Sequence, residues 1–271
     1  MRRALACLAI AATSLAALPA AAIVGGVEDG DQHPGVGLIY FHRDGDLYRC
    51  SGTLVEPTVV VTAAHCTDGS TDVHVTFDAA AVRSPLATTN PGDPSRFIGG
   101  TAHADPAYTG GFKIDTLDDI GVVVLDRPAS DVWPNITLTP LATAGAADGL
   151  RAGNGRAGQT LFTAVGYGVR FEHPTDGPAK PALVSDRIRR NATVPLQMVR
   201  GETIKTAENA NDSRGTGGTC FGDSGGALLL DGRLIGVTAW GASQFCIGVS
   251  GYQRTESAHA RAFLSQYLAL P

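Results

Sequence analysis

Gly222-Asp223-Ser224-Gly225-Gly226 is the stretch whose reading decides the fold. A serine among small residues, with an aspartate just before it, suits an exposed nucleophile beside backbone N–H donors. The same five residues satisfy the looser G-x-S-x-G pattern of the nucleophile elbow in α/β hydrolases. Its meaning therefore depends on where a histidine and a second aspartate lie. Thr62-Ala63-Ala64-His65-Cys66 ends the apolar run Val59–Val61, and Asp119-Ile120-Gly121-Val122-Val123 puts a carboxylate at the mouth of a buried strand. A serine hydroxyl is a weak nucleophile at neutral pH and needs a base, itself oriented by a third group. His65 and Asp119 are the candidates for those two tasks.

Around these motifs, short apolar, β-branched runs recur between Gly, Pro, Asp and Asn clusters: 36–41, 59–62, 73–77, 120–125, 161–165, 227–230 and 234–239. This rhythm predicts an all-β domain, because parallel α/β proteins alternate strands with helical stretches of ten or more residues. One helix is expected, over 256–270, where Ala260, Phe263, Leu264, Tyr267 and Leu268 share a face. Segments 79–117, 145–160 and 170–183 are rich in Gly, Pro, Ala, Asp and Thr and read as surface loops. Asn135, Asn191 and Asn211 open glycosylation-type triplets, best read as chance matches.

The first residues have a secretory layout: Arg2 and Arg3, an apolar run 4–18, then Ala20-Ala21-Ala22. Residues 1–22 are expected to be a removed signal peptide, which makes the mature protein extracellular and leaves no membrane-spanning segment. Cys7 lies too close to Arg3 for a lipoprotein signal. Removal of 22 of 271 residues leaves 249, with 19 Lys+Arg against 26 Asp+Glu, a net charge of −7. Such a surface is a poor partner for nucleic acid or anionic membranes. Four cysteines remain, Cys50, Cys66, Cys220 and Cys246. In an exported chain they favour disulfides, with local pairing giving 50–66 and 220–246 among three possible connectivities. Zinc spacing is lacking.

The chain resembles the chymotrypsin/trypsin family of secreted serine peptidases over nearly all of its mature length. Ile23-Val24-Gly25-Gly26 is similar to the mature N-terminus, 50–54 to the segment before the histidine, and 62–66 to the histidine motif. Asp119-Ile120-Gly121 matches the aspartate motif, Gly166-Tyr167-Gly168 the opening of the second barrel, and Ala239-Trp240-Gly241 the substrate-pairing strand. The family runs His, Asp, Ser, whereas an α/β hydrolase runs Ser, Asp or Glu, His. Only Asp231 or Glu256, with His259, could serve the second order. The 47 residues from Gly225 onward are too few for the rest of that fold.

The resemblance implies two six-stranded antiparallel Greek-key barrels, about 23–140 and 141–255, with a C-terminal helix over 256–271 and the active site between the barrels. It implies a serine endopeptidase acting through an acyl-enzyme, with Ser224 as nucleophile, His65 as base, Asp119 as orienting acid, and the N–H groups of Gly222 and Ser224 as oxyanion hole. Asp118 is the nearest rival of Asp119, but the family motif puts the acid directly before Ile-Gly. Asp223 is expected to pair with the newly exposed ammonium of Ile23. Relatives commonly carry Arg or Lys before that isoleucine, whereas here Ala22 precedes it, so export and activation would be one event. Gly218, Thr219, Ala239, Trp240 and Gly241 are expected to form the primary specificity pocket. Gly218 stands where trypsin-like enzymes carry aspartate, which implies an uncharged, apolar P1 residue. The segment Thr206–Gly217 could still reach in, with Asp212 as its candidate acid.

No cofactor or metal is expected; Asp68, Asp72 and Asp78 in the loop 67–83 are read as solvated rather than calcium-binding. Partners are protein or peptide substrates and protein inhibitors, and the chain is expected to be a monomer. The rival class is a catalytically silent homologue used as a binding module.

Overall fold

The first strands are set by the alternation of apolar residues between turn-forming clusters. The computed structural model describes residues 23, 25–81, 92–110, 118–153, 159–172, 182–208 and 216–271; the expected leader 1–22, with Cys7, and Asn211 and Asp212 lie outside them. After the short β1 (Val27–Glu28) come β2 (Val36–Arg43), β3 (Asp46–Glu56), β4 (Val59–Thr62), the helical turn α1 (Ala64–Thr67), β5 (Thr71–Thr76), β6 (Ile98–Ala104) and β7 (Gly121–Leu125). Strands β2 to β7 form a closed antiparallel barrel in the order β2-β3-β4-β7-β6-β5, with β5 returning to pair with β2.

The second half repeats the arrangement with β8 (Leu161–Gly166), β9 (Arg170–Glu172), β10 (Ala182–Val184), β11 (Arg190–Arg200), β12 (Thr203–Glu208), β13 (Ala227–Leu230), β14 (Arg233–Gly241) and β15 (Gly248–Arg254), followed by helix α2 (Ala258–Leu264). β9 and β10 form a separate ribbon, and β1 pairs with the start of β11. The remaining six close in the order β8-β11-β12-β15-β14-β13, with β13 on β8. In both barrels the fourth strand lies beside the first, the Greek-key arrangement.

Three buried clusters hold this together. Ile39, Phe41, Leu54, Val60 and Val123 fill the first barrel, and Phe162, Val194, Leu196, Ile204 and Tyr252 fill the second. The third lies between them, where Val36, Leu38 and Tyr40 of β2 belong to one cluster with Val165, Tyr167, Ala227 and Leu229, and with Phe263 and Leu264 of α2. Both faces of β2 and β13 are thus covered, which is why they read as unbroken apolar runs. Each such Leu or Phe contributes about 1.5–3 kcal/mol by burial.

Three loop expectations and the helix are corrected, beginning with 170–183, which holds β9 and the start of β10. The stretch 79–117 is not all loop, since β6 lies within it. Its Gly99 and Gly100 weaken the strand signal. A Cβ at Gly100 would come within 2.8 Å of both Val123 Cγ1 and the Val124 carbonyl, so the adjacent strand requires glycine there. The segment Thr206–Gly217 likewise begins inside β12. The helix is also shorter than expected. Ser257 caps it by accepting from Ala260 N–H, and beyond Leu264 the chain continues in turns until Glu56 takes the Ala269 N–H at 2.7 Å. Among the described residues no helix is long and apolar enough to cross a membrane.

Candidate active site

His65 sits in α1, directly after β4, and its position is fixed from three sides. Asp119, only 3% exposed, accepts the His65 backbone N–H on Oδ1 at 2.8 Å and meets the ring Nδ1 with Oδ2 at 2.8 Å. Arg43 donates to the His65 carbonyl at 2.8 Å, and the Cys50–Cys66 disulfide ties α1 to β3. A carboxylate can only accept, so the proton of the neutral imidazole resides on Nδ1 and Nε2 carries the basic lone pair. Gln253 of β15 receives the Asp119 backbone N–H at 3.3 Å, a link from the second barrel to the acid of the first.

Ser224 lies in a turn that needs its glycines. Gly222 and Gly225 have φ of +97° and +73°, in the left-handed region that side chains disfavour. A Cβ at Gly225 would fall 1.9 Å from Thr62 Oγ1 and 2.9 Å from Ala63 N. The turn is therefore pressed against the end of β4, three residues before His65. Gly225 N–H donates to Thr238 at 2.7 Å, and Thr238 N–H returns a bond to Gly226 at 2.9 Å.

Ser51 also joins the two halves, and the sequence motif gave it no such role. Fully buried, it donates its N–H to the Ser224 carbonyl at 2.7 Å and its hydroxyl to the Gly222 carbonyl at 2.9 Å. The same hydroxyl accepts from Tyr167 N–H at 3.0 Å, and its carbonyl accepts from Thr62 at 2.8 Å. The peptide groups around the serine are thus oriented from the first barrel.

Asp223 is fully buried, with Oδ1 accepting from Gly168 N–H at 2.7 Å and Oδ2 from Cys220 N–H at 2.8 Å. Among the described residues no cation forms an ion pair with it. Burial pushes its carboxyl up to about 6, against the lowering effect of those two N–H groups. Ile23 is also buried, but in the full chain it is joined to Ala22 and has no ammonium to offer.

Beside Ser224 opens a cavity of about 350 Å³ lined by Thr219, Ala239, Trp240, Gly241 and the Cys220–Cys246 disulfide. Both disulfides are the locally paired ones. Gly218 lies buried behind this cavity rather than on its wall. Against it stands a carboxylate that the sequence reading missed. Glu208, at the end of β12, accepts from Thr219 N–H at 2.8 Å and from the Thr219 hydroxyl at 3.1 Å. Burial pushes Glu208 up to about 7, although Ser250 and Thr219 hydrogen bonds pull the other way. Asp212, the acid expected of this stretch, lies outside the described residues; Glu208 stands four residues before it, on the strand.

Several other acids and histidines among the described residues have local partners. Asp72 meets His42 and His74, and Asp78 meets Arg96 and Trp133, so these carboxylates are not gathered with Asp68. His259 faces Asp105 and Asp118, which draws Asp118 away from His65, and the Asn191 amide is engaged with Asp29.

A family model described as Trypsin matches residues 23–258. The chain belongs to the trypsin family. Among curated relatives of this trypsin-family chain, a brachyurin from Leptuca pugilator is 33% identical over 207 residues, covering 74% of this chain and 79% of that protein. A trypsin from Saccharopolyspora erythraea is 31% identical over 222 residues, covering 81% and 86%. Among solved structures, HL collagenase superposes with a TM-score of 0.63 at 17% identity, covering 89% of this chain and 95% of the other. Human heparin binding protein gives 0.59 at 19% identity, covering 92% and 99%. Such low identities speak for the two-barrel fold; the family membership makes this a serine-endopeptidase homologue.

Proposed function

We propose that this trypsin-family protein is a secreted serine endopeptidase in which His65, Asp119 and Ser224 act together. The observation that carries the reading is the two-point grip of Asp119 on His65, which fixes the imidazole with Nε2 as its base. Ser224 Oγ attacks the scissile carbonyl carbon while His65 Nε2 takes its proton. The tetrahedral oxyanion is received by the N–H groups of Gly222 and Ser224. His65 then returns the proton to the departing amine, which leaves an acyl-enzyme on Ser224. Water, deprotonated by His65, releases the acid by the reverse steps. Each oxyanion donor of this kind contributes about 10²–10³ in turnover.

Removal of residues 1–22 exposes the Ile23 ammonium, which pairs with Asp223. A buried carboxylate answered only by N–H dipoles favours such a partner strongly. The apolar walls at Ala239 and Trp240 take an uncharged, apolar P1 side chain of a protein or peptide substrate, and the same cleft serves protein inhibitors. The protein acts as a monomer without a cofactor.

The experiment is labelling of the secreted protein, begun at Ile23, with a fluorophosphonate probe, alongside hydrolysis of a P1-Leu peptide. Both should occur and both should vanish in Ser224→Ala. Absence of labelling in correctly processed protein would instead support a silent binding module, and a mature start upstream of Ile23 with low activity would break the coupling of export to activation.

A further inference from the structure

We infer that the primary pocket also receives a basic P1 side chain, lysine or arginine, and that Glu208 is the residue that meets its charge. This rests on the peptidase reading of the cleft and extends its substrate class. The geometry is specific. A Cβ placed on Gly218 would lie 2.7 Å from Glu208 Cβ and Oε2 and 2.8 Å from Cδ. The Glu208 carboxyl therefore occupies the space that a side chain at 218 would fill. The acid absent from position 218 is replaced by one delivered from β12.

Its surroundings suit a recognition role. Thr219 both lines the cavity and bonds Glu208 through its N–H and its hydroxyl, and that hydroxyl lies 2.8 Å from the Ser250 hydroxyl. A cationic group entering past Trp240 thus meets the Thr219 hydroxyl, with the Glu208 carboxyl and the Ser250 hydroxyl behind it, while its alkyl stem packs on apolar wall. A carboxylate that is 4% exposed and held by neutral donors is costly in isolation and gains from a cation. Among the described residues, the charged and titratable groups around it form no ion pair with it. Asp223 in the nucleophile turn adds like charge, Tyr252 of β15 is a neutral phenol whose ionisation Glu208 opposes, and Lys205 of β12 has its Nζ 5.8 Å over the Trp240 ring.

With its carboxyl pushed up to about 7, Glu208 is neutral in mildly acidic solution and ionised in mildly alkaline solution. The pocket then favours uncharged P1 side chains below that range and accepts basic ones above it.

The test compares kcat/KM for matched peptides differing only in P1, lysine or arginine against leucine, at about pH 6 and about pH 8.5. The ratio of basic to apolar cleavage is the readout, because any effect of pH on the chemical step shared by the two substrates cancels in it. In the parent protein the ratio should rise about ten-fold or more across this interval, and in Glu208→Gln it should fall at least about ten-fold at the upper pH and lose its rise. A ratio flat with pH, or unmoved by Glu208→Gln, overturns the inference. A second readout needs no turnover: p-aminobenzamidine fluorescence on Ser224→Ala protein, with binding weakened at least about ten-fold by adding Glu208→Gln. Glu208-dependent binding in a protein that cleaves no peptide would break the peptidase reading and uphold the pocket acid. Cleavage after leucine alone, with no p-aminobenzamidine binding, would do the reverse.

Discussion

The two barrels share one strand order, but the second half, which pairs its buried Glu256 with Arg254, treats two other carboxylates differently from Asp119 and Asp29 of the first half. On the first-barrel side, Asp119 is answered at once by the N–H and ring of His65. At the seam, Asp29 is answered by Arg189 at 2.9 Å, by His33 and by Asn191. Burial alone would raise Asp29, but the His33 and Asn191 hydrogen bonds hold it down at about 2. On the second-barrel side, among the described residues Asp223 and Glu208 are met by N–H and hydroxyl dipoles and by no ion pair, and burial pushes them up to about 6 and about 7. Completed pairs fix the scaffold. On the proposed readings of the N-terminus and the pocket, incomplete ones receive an arriving cation, the ammonium of Ile23 in one case and a substrate side chain in the other.

That contrast can be broken most sharply at Asp119. Asp119→Asn should retain the fold but leave the wrong imidazole tautomer, lowering kcat by about 10⁴ with little change in KM. A loss below about a hundred-fold in steady-state kinetics would mean that Asp119 does not orient the base.

Asp223 gives the next largest effect, with opposite signs before and after processing. Its folded value near 6 lies above the ordinary 3.8, so the unprocessed chain binds the extra proton when folded and loses stability as pH rises from about 4 to about 6. The loss is about 3 kcal/mol and persists above that window. In full-length chain carrying Ser224→Ala, Asp223→Asn should therefore make urea stability less dependent on pH and higher at pH 8. In protein beginning at Ile23 the same substitution should destabilise, because it removes the ammonium's partner. Destabilisation of both forms at pH 8 would sink the activation reading.

Asp29 sharpens the other side of the comparison. Its folded value of about 2 lies below the ordinary 3.8, so it contributes stability above about pH 4 that is lost as pH falls towards 2. The amount is about 2 kcal/mol, and Asp29→Asn should flatten this acid limb in unfolding titrations.

What could be read from the chain follows from how local each feature is. His65, Asp119 and Ser224 stood out because serine chemistry needs those residue types and each lies in a short motif of its own. The disulfides were favoured by proximity, with sequence separations of 16 and 26. β6 was hidden because the close approach of β7 demands glycine where strand residues would have signalled. Glu208 was hidden for a longer-range reason. Its place behind Gly218 exists only once β12 pairs with β15, Thr206 opposite Ser250 and Glu208 opposite Gly248. Ser51 offered even less, since a hydroxyl in a strand has many ordinary roles and its partners lie more than a hundred residues away.

That distance has a consequence for timing. Ser51 and Gly222 are 171 residues apart in the chain, and the bond between them joins the two halves of the cleft. Contacts of such separation close late, after the local ribbons and the first barrel can already exist. A nascent chain therefore carries its histidine and aspartate in place well before its serine is docked. On the proposed reading, hydrolytic competence arrives with the last long-range closure, so partly folded copies awaiting completion are poorly equipped to digest one another.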